Sequence, residues 1–180
     1  MTKVRQVLIV LTLAVLSAGV GIVSFYYFHG GISLSVFSEP PTLRKEGAFS
    51  LPDVTGQVRN SSEWLGKVVI LNFWAPWCSP CRKEIPGFLD LYHTYRDKGL
   101  VVVGVAIDKP DEVLRFVADF SVDYPNLLGE EFGLGLVTRY GNRSGGLPYT
   151  VVIDREGKVI YTRLGELSVT DAERVIRPLL

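Results

Sequence analysis

The stretch "NFWAPWCSPCRKEIP", Asn72 to Pro86, decides how this chain folds and where its chemistry lies. It holds the only two cysteines among 180 residues, Cys78 and Cys81, separated by Ser79 and Pro80. Just upstream, "VVILNF" (68–73) is a short apolar run rich in β-branched residues, the pattern of a strand buried on both faces. Downstream, Ile85, Phe88, Leu89, Tyr92 and Tyr95 recur at helical spacing. An amphipathic helix is therefore predicted after Cys78, with Pro86 inside it and expected to kink it. A second β-branched run, "LVVVGVAI" (100–107), completes a right-handed strand–helix–strand crossover. The cysteine pair thus stands where a parallel strand gives way to a helix.

The rest of the chain extends this pattern. A helix is predicted over Asp111 to Phe120 and a short strand over Asn126 to Leu128. Tyr149–Ile153 and Val159–Arg163 flank the turn "DREGK" and read as an antiparallel hairpin. Ala172, Val175, Ile176 and Leu179 share one face of a closing helix, with Thr170 and Glu173 spaced as its capping box. A mixed sheet with helices on both sides makes the fold class α/β.

The first residues are a different material. After Lys3 and Arg5 no charged residue appears until Glu39, and the apolar run Val7–Phe28 matches the ~20 residues a helix needs to span a bilayer. Lys3 and Arg5 before the run place the N-terminus in the cytoplasm, and Tyr26 and Tyr27 fall at the far interface. The competing reading is a cleaved signal peptide cut near Ser17-Ala18-Gly19. The run, however, continues well past that point, beyond the usual hydrophobic region of about 7–15 residues. Both readings put everything after Phe28 outside the cytoplasmic membrane. The chain then divides into an anchor (1–28), a Gly- and Pro-punctuated tether (29–46) and one globular domain (47–180). A formal net charge of zero gives no sign of a nucleic-acid partner.

A domain of this size needs no disulfide for stability, and a bridge across two residues closes too small a loop to stabilise much. Structural zinc wants four ligands, and the chain owns two cysteines and two histidines. His93 lies twelve residues beyond Cys81, roughly 18 Å along the same helix. His29 belongs to the tether. A two-thiolate Cu(I) site stays open. Redox exchange fits the local physics better. At a helix N-terminus the backbone N–H groups and the dipole favour a Cys78 thiolate, while Cys81 lies one turn on and deeper. Pro80 suits the first turn, having no N–H to donate. An outer sulfur that attacks and an inner one that resolves are what a two-step exchange requires, with no metal or other cofactor.

"NFWAPWCSPCRKEIP" resembles the active-site segment of the thioredoxin superfamily, and more narrowly the membrane-anchored thiol–disulfide oxidoreductases of the TlpA, ResA and cytochrome c maturation type. The resemblance runs from "FSLPDVTGQ" at Phe49 through "EWLGKVVILNFWAPWC" to "GGLPYTVVIDREGKVI". It implies a thioredoxin-like fold, with an extra helix and strand accommodated between Asp108 and Pro148. It also implies a cis Leu147–Pro148 bond in a loop opposite the cysteines, where backbone groups pair with the substrate chain. Trp77, abutting and covering Cys78, joins Leu147 and Pro148 as expected substrate-binding residues; Trp74 and Trp64 read as core. Glu84 matches a glutamate the family places near the pair, where it would raise the thiol pKa values and ferry a proton when Cys81 acts. The alternative is a surface glutamate on a charged turn. Asn72 occupies the position of a buried aspartate in cytosolic thioredoxins. The segment "RYGNRSGG" (139–146) reads either as groove lining or as a mobile connector.

The resemblance implies an enzyme that reduces disulfides of protein substrates, apocytochrome c among the candidates, and draws electrons from a membrane thiol–disulfide donor. Its bilayer contact is through residues 7–28, with the catalytic domain on the periplasmic or extracytoplasmic side. A dithiol oxidase of the same fold and a Cu(I) chaperone are the alternatives. A peroxidase fits less well. Peroxiredoxins carry a threonine three residues before the reactive cysteine, and Ala75 stands there.

Overall fold

The computed structural model describes residues 42–43, 47–130 and 132–180. The expected anchor (1–28) and most of the tether lie outside the described residues. Among the described residues no helix is long and apolar enough to cross a membrane.

Two short strands, β1 (Ser50–Pro52) and β2 (Val58–Asn60), pair as an antiparallel hairpin. The chain then forms β3 (Val68–Trp74), α1 (Ser79–Tyr95), β4 (Leu100–Ala106), α2 (Pro110–Asp119) and β5 (Asn126–Leu128). It continues through α3 (Gly133–Arg139), β6 (Tyr149–Ile153), β7 (Val159–Leu164) and α4 (Val169–Ile176). The main sheet has the order β5-β4-β3-β6-β7. β3, β4 and β5 run parallel, whereas β6 and β7 are antiparallel to their neighbours. All seven residues of β3 are buried, which is why its sequence is apolar at every position but Asn72 instead of alternating.

Alternate side chains of the sheet feed two cores. Val68, Ile70 and Trp74 face a cluster completed by Ile85 and Phe88 of α1, Val113 and Phe116 of α2, and Ala172 and Ile176 of α4. Val69, Leu71 and Phe73 face the other way, towards Leu136 and Val137 of α3 and Leu51 of the hairpin. Helices cover both faces, and the mixed α/β architecture is the expected one.

Two expectations change in detail. α4 is capped by Ser168, whose Oγ accepts from Asp171 N at 3.2 Å and donates to Asp171 Oδ2 at 2.9 Å. Thr170 therefore lies inside the helix, and Glu173 is free to accept from the Tyr95 hydroxyl at 2.6 Å. The two spacings look alike in sequence; the helix begins two residues earlier because Val169 is already on it. The end of the tether also belongs to the domain. Leu43 is 2% exposed, its N–H donates to Gly157 O at 2.9 Å, and Thr42 bridges to Lys158. α1 runs from Ser79 to Tyr95 with Pro86 inside it, where the sequence places this proline.

Candidate active site

β3 is the central strand, and its carboxyl end delivers the chain into Ala75–Cys78 and then into α1. Cys78 is the N-cap of α1, with extended backbone (φ −79°, ψ 105°), and Pro80 occupies the first turn. Cys81 N donates to Cys78 Sγ at 3.3 Å, so this sulfur accepts one of the N–H groups that a helix N-terminus leaves unpaired. That geometry favours an anion on Cys78. The two sulfurs form a disulfide. In this oxidised state Cys78 is 5% exposed and Cys81 is fully buried, the expected order with a narrow margin.

Trp77, the residue before Cys78, stands 69% exposed. It follows Pro76 in a loop turned to solvent, whereas Trp74 on β3 and Trp64 in the 3-10 turn Ser61–Trp64 are buried. Trp74 Nε1 donates to Asn126 Oδ1 at 3.2 Å. His93 belongs to the far half of α1 and pairs with Asp123 at 2.8 Å on the surface.

Glu84 is no surface residue. It is 4% exposed, on the face of α1 that also buries Cys81, Ile85 and Phe88. Its Oε1 accepts from Asn72 Nδ2 at 2.8 Å and its Oε2 from Leu167 N at 2.9 Å. Burial pushes its pKa up from 4.5 to about 7; the neighbouring Glu166 adds to the rise, and the two hydrogen bonds oppose it. The consequence for stability has a definite sign. Below about pH 4.5 Glu84 is protonated whether the chain is folded or not, and the full stability is present. As pH rises towards about 7 the unfolded chain loses this proton while the folded one keeps it, so stability falls. Urea unfolding of the oxidised protein should show a loss on the order of 3 kcal/mol between pH 4.5 and 8. Glu84→Gln should remove most of that slope.

Asn72, fully buried on β3, also donates to Thr150 Oγ1 at 3.0 Å, directly across the β3–β6 register. A polar line from Thr150 through Asn72 to Glu84 therefore crosses the core beneath α1. Asn72 was visible in the sequence as a departure from thioredoxins, but Thr150 carried no signal of its own within "GLPYT".

The Leu147–Pro148 bond is cis, as the resemblance implies. Pro148 O accepts from Gly165 N at 2.8 Å, while no hydrogen bond to the N–H or C=O of Leu147 is present among the described residues. The preceding loop is braced. Asn142 Nδ2 donates to Gly146 O at 2.8 Å, and Asn142 Oδ1 accepts from Ser144 N at 3.1 Å and Ser144 Oγ at 2.6 Å. Tyr149 Oη donates to Tyr140 O at 2.7 Å. Those bonds argue against the bare-connector reading of 139–146. The sequence clue was an asparagine two residues before a serine in a glycine-rich run, the makings of an Asx turn.

Residues 44–162 match the AhpC/TSA family, well over half of the chain. The chain belongs to the AhpC/TSA family. It is 30% identical over 181 aligned positions to the thiol-disulfide oxidoreductase ResA of Bacillus thuringiensis (strain Al Hakam), covering 99% of both chains. Among solved structures it is similar to a thiol:disulfide interchange protein of the thioredoxin family from Chlorobium tepidum TLS, with a TM-score of 0.68 and 28% identity over 78% of this chain and 95% of that one. A secreted thiol-disulfide isomerase from Corynebacterium glutamicum also has a TM-score of 0.68, at 27% identity over 73% and 83% of the two chains. This AhpC/TSA-family member is accordingly a thiol–disulfide oxidoreductase of the thioredoxin fold, a class of enzyme that acts on disulfide-containing proteins.

Proposed function

We propose that the protein works as a reductase outside the cytoplasmic membrane, anchored by residues 7–28. The Cys78 thiolate attacks one sulfur of a substrate disulfide; that bond breaks, a Cys78–substrate disulfide forms, and the released substrate thiolate takes a proton. Glu84 then accepts the Cys81 proton. The Cys81 thiolate attacks Cys78 Sγ, giving the intramolecular disulfide and releasing the second substrate thiolate. Two electrons pass from the cysteine pair to the substrate. A membrane thiol carrier restores the pair by the reverse exchange.

The observation that carries this reading is Glu84, buried one turn beyond Cys81 and tied on both oxygens. Strong oxidants of this class owe their potential to a stabilised reduced thiolate. A buried carboxylate near the pair destabilises a thiolate and moves the balance towards reductant. The N–H and C=O of Leu147, unpaired among the described residues, and the exposed Trp77 support a substrate chain laid beside the cysteines as an added strand. Similarity to the ResA oxidoreductase over 99% of the chain takes in the apolar N-terminal run, in keeping with an anchored enzyme, and apocytochrome c is the proposed substrate class.

Equilibration of the purified protein with glutathione tests the direction. A reductase should show a potential below about −200 mV, whereas a value near about −120 mV belongs to a dithiol oxidase and contradicts the reading.

A further inference from the structure

The polar line beneath α1 carries one unpaired atom. Asn72 Oδ1 is buried with no hydrogen-bond partner among the described residues, although both protons of the same carboxamide are used. A buried, unpartnered carbonyl is costly, and such groups mark either strain or function. The arrangement suits only one protonation state of Glu84. Its two oxygens face two donors, Asn72 Nδ2 and Leu167 N, which is right for a carboxylate and wrong for a carboxylic acid. Once Glu84 accepts a proton, one oxygen must itself donate. Leu167 N is a backbone donor and cannot change its role. The proton therefore belongs on Oε1, facing Asn72, and there it would meet an N–H group.

Rotation of the carboxamide resolves the conflict. Half a turn brings Oδ1 to the place of Nδ2, where it accepts from Glu84 Oε1–H. Thr150 permits this, because a hydroxyl that accepts from Nδ2 in one state can donate to Oδ1 in the other. One end of the carboxamide is left unpartnered in both orientations. That penalty therefore largely cancels, and the charge on Glu84 chooses between them.

We propose that the Asn72 carboxamide is a rotor that follows the Glu84 proton, presenting Nδ2 to the carboxylate and Oδ1 to the carboxylic acid, with Thr150 reversing its hydroxyl in step. Asn72 is thus a positioning residue, and the proposal rests on the reading of Glu84 as acceptor of the Cys81 proton. Its consequence is that Glu84 has a hydrogen-bond partner at Oε1 both before and after the transfer. Other groups facing Glu84 are Glu166, in the loop after β7, and Tyr124, before β5. Burial and the charges of Glu84 and Asp123 push the Tyr124 phenol far up, so it stays protonated throughout the range in which Glu84 titrates. Cys81, on the same helix, is held in the disulfide and does not titrate in the oxidised protein.

The test uses full-length, isotope-labelled, oxidised protein in detergent, and its main readout is on the wild type. Two NMR signals are followed from pH 5 to 9: the Glu84 side-chain carboxyl carbon, and the nuclear Overhauser contact between the Asn72 NH2 protons and the Thr150 methyl. The contact should be strong at high pH and lost on acidification, with the midpoint of the Glu84 titration. A contact unchanged across that titration overturns the rotor. Asn72→Ala removes the Oε1 partner from both forms of Glu84, so the midpoint should rise by well under one pH unit, the difference between a hydrogen bond to the carboxylate and one from the acid. A rise of about one unit or more, which a fixed donor serving the carboxylate alone would give, counts against the rotor. Failure of the underlying reading shows separately, as a Glu84→Gln protein whose mixed-disulfide resolution keeps the wild-type pH profile.

Discussion

Cys78→Ser is expected to lower the rate of protein-disulfide reduction by on the order of 10³-fold or more, leaving the fold intact. The hydroxyl replaces the only sulfur that combines the N-cap position with an N–H donor from Cys81, and at neutral pH it does not ionise. Cys81 cannot take over, because it is fully buried beneath the first turn of α1. Reduction of a model disulfide protein, followed by the absorbance or turbidity of its products, gives the rate. A variant retaining a tenth or more of wild-type turnover would mean that Cys81 can attack substrate directly.

Cys81→Ala has the opposite signature. Attack by Cys78 still proceeds, but nothing resolves the product, so the Cys78–substrate disulfide accumulates. Single turnover with a disulfide substrate should give close to one equivalent of covalent adduct, separated on a non-reducing gel and released by dithiothreitol. Without an internal thiol, release depends on outside thiols and loses the advantage of a tethered reactant, which reaches millimolar or higher effective concentration. The same variant, expressed at natural levels, captures the physiological clients for mass spectrometry. Adduct that breaks down as fast as in the wild type would remove Cys81 from the resolving role.

The sheet and its crossover could be read from the sequence because β3 and β4 are buried on both faces, leaving long β-branched runs between turn signals. The hairpin β1–β2 could not, since three-residue strands are too short to establish a period of two. α3, "GLGLVTR", hides behind two glycines in seven residues. The cysteine pair, its place at the start of α1 and the cis proline loop were all legible through motifs. The environment of Glu84 was not. Helical spacing puts it on the face of Cys81, but one of its two donors in that buried position is Leu167 N, which arrives 83 residues later in the chain. Local sequence cannot anticipate a donor supplied by a distant loop. Asn142 was overlooked for a related reason: its three hydrogen bonds define the loop before Pro148, yet composition alone reads as flexibility. The shifted cap of α4 shows the limit of spacing rules, since Ser168–Asp171 and Thr170–Glu173 offer the same separation and packing chooses.

Differential alkylation of the reduced protein tests the central asymmetry between the two sulfurs most directly. Reduced protein is treated with limiting iodoacetamide at neutral pH, and peptide mass spectrometry locates the label. The expected result is modification of Cys78 at least tenfold faster than Cys81, with the Cys78 rate rising through its thiolate titration. Equal and slow labelling of both would contradict an outer, ionised attacking sulfur above a covered resolving one.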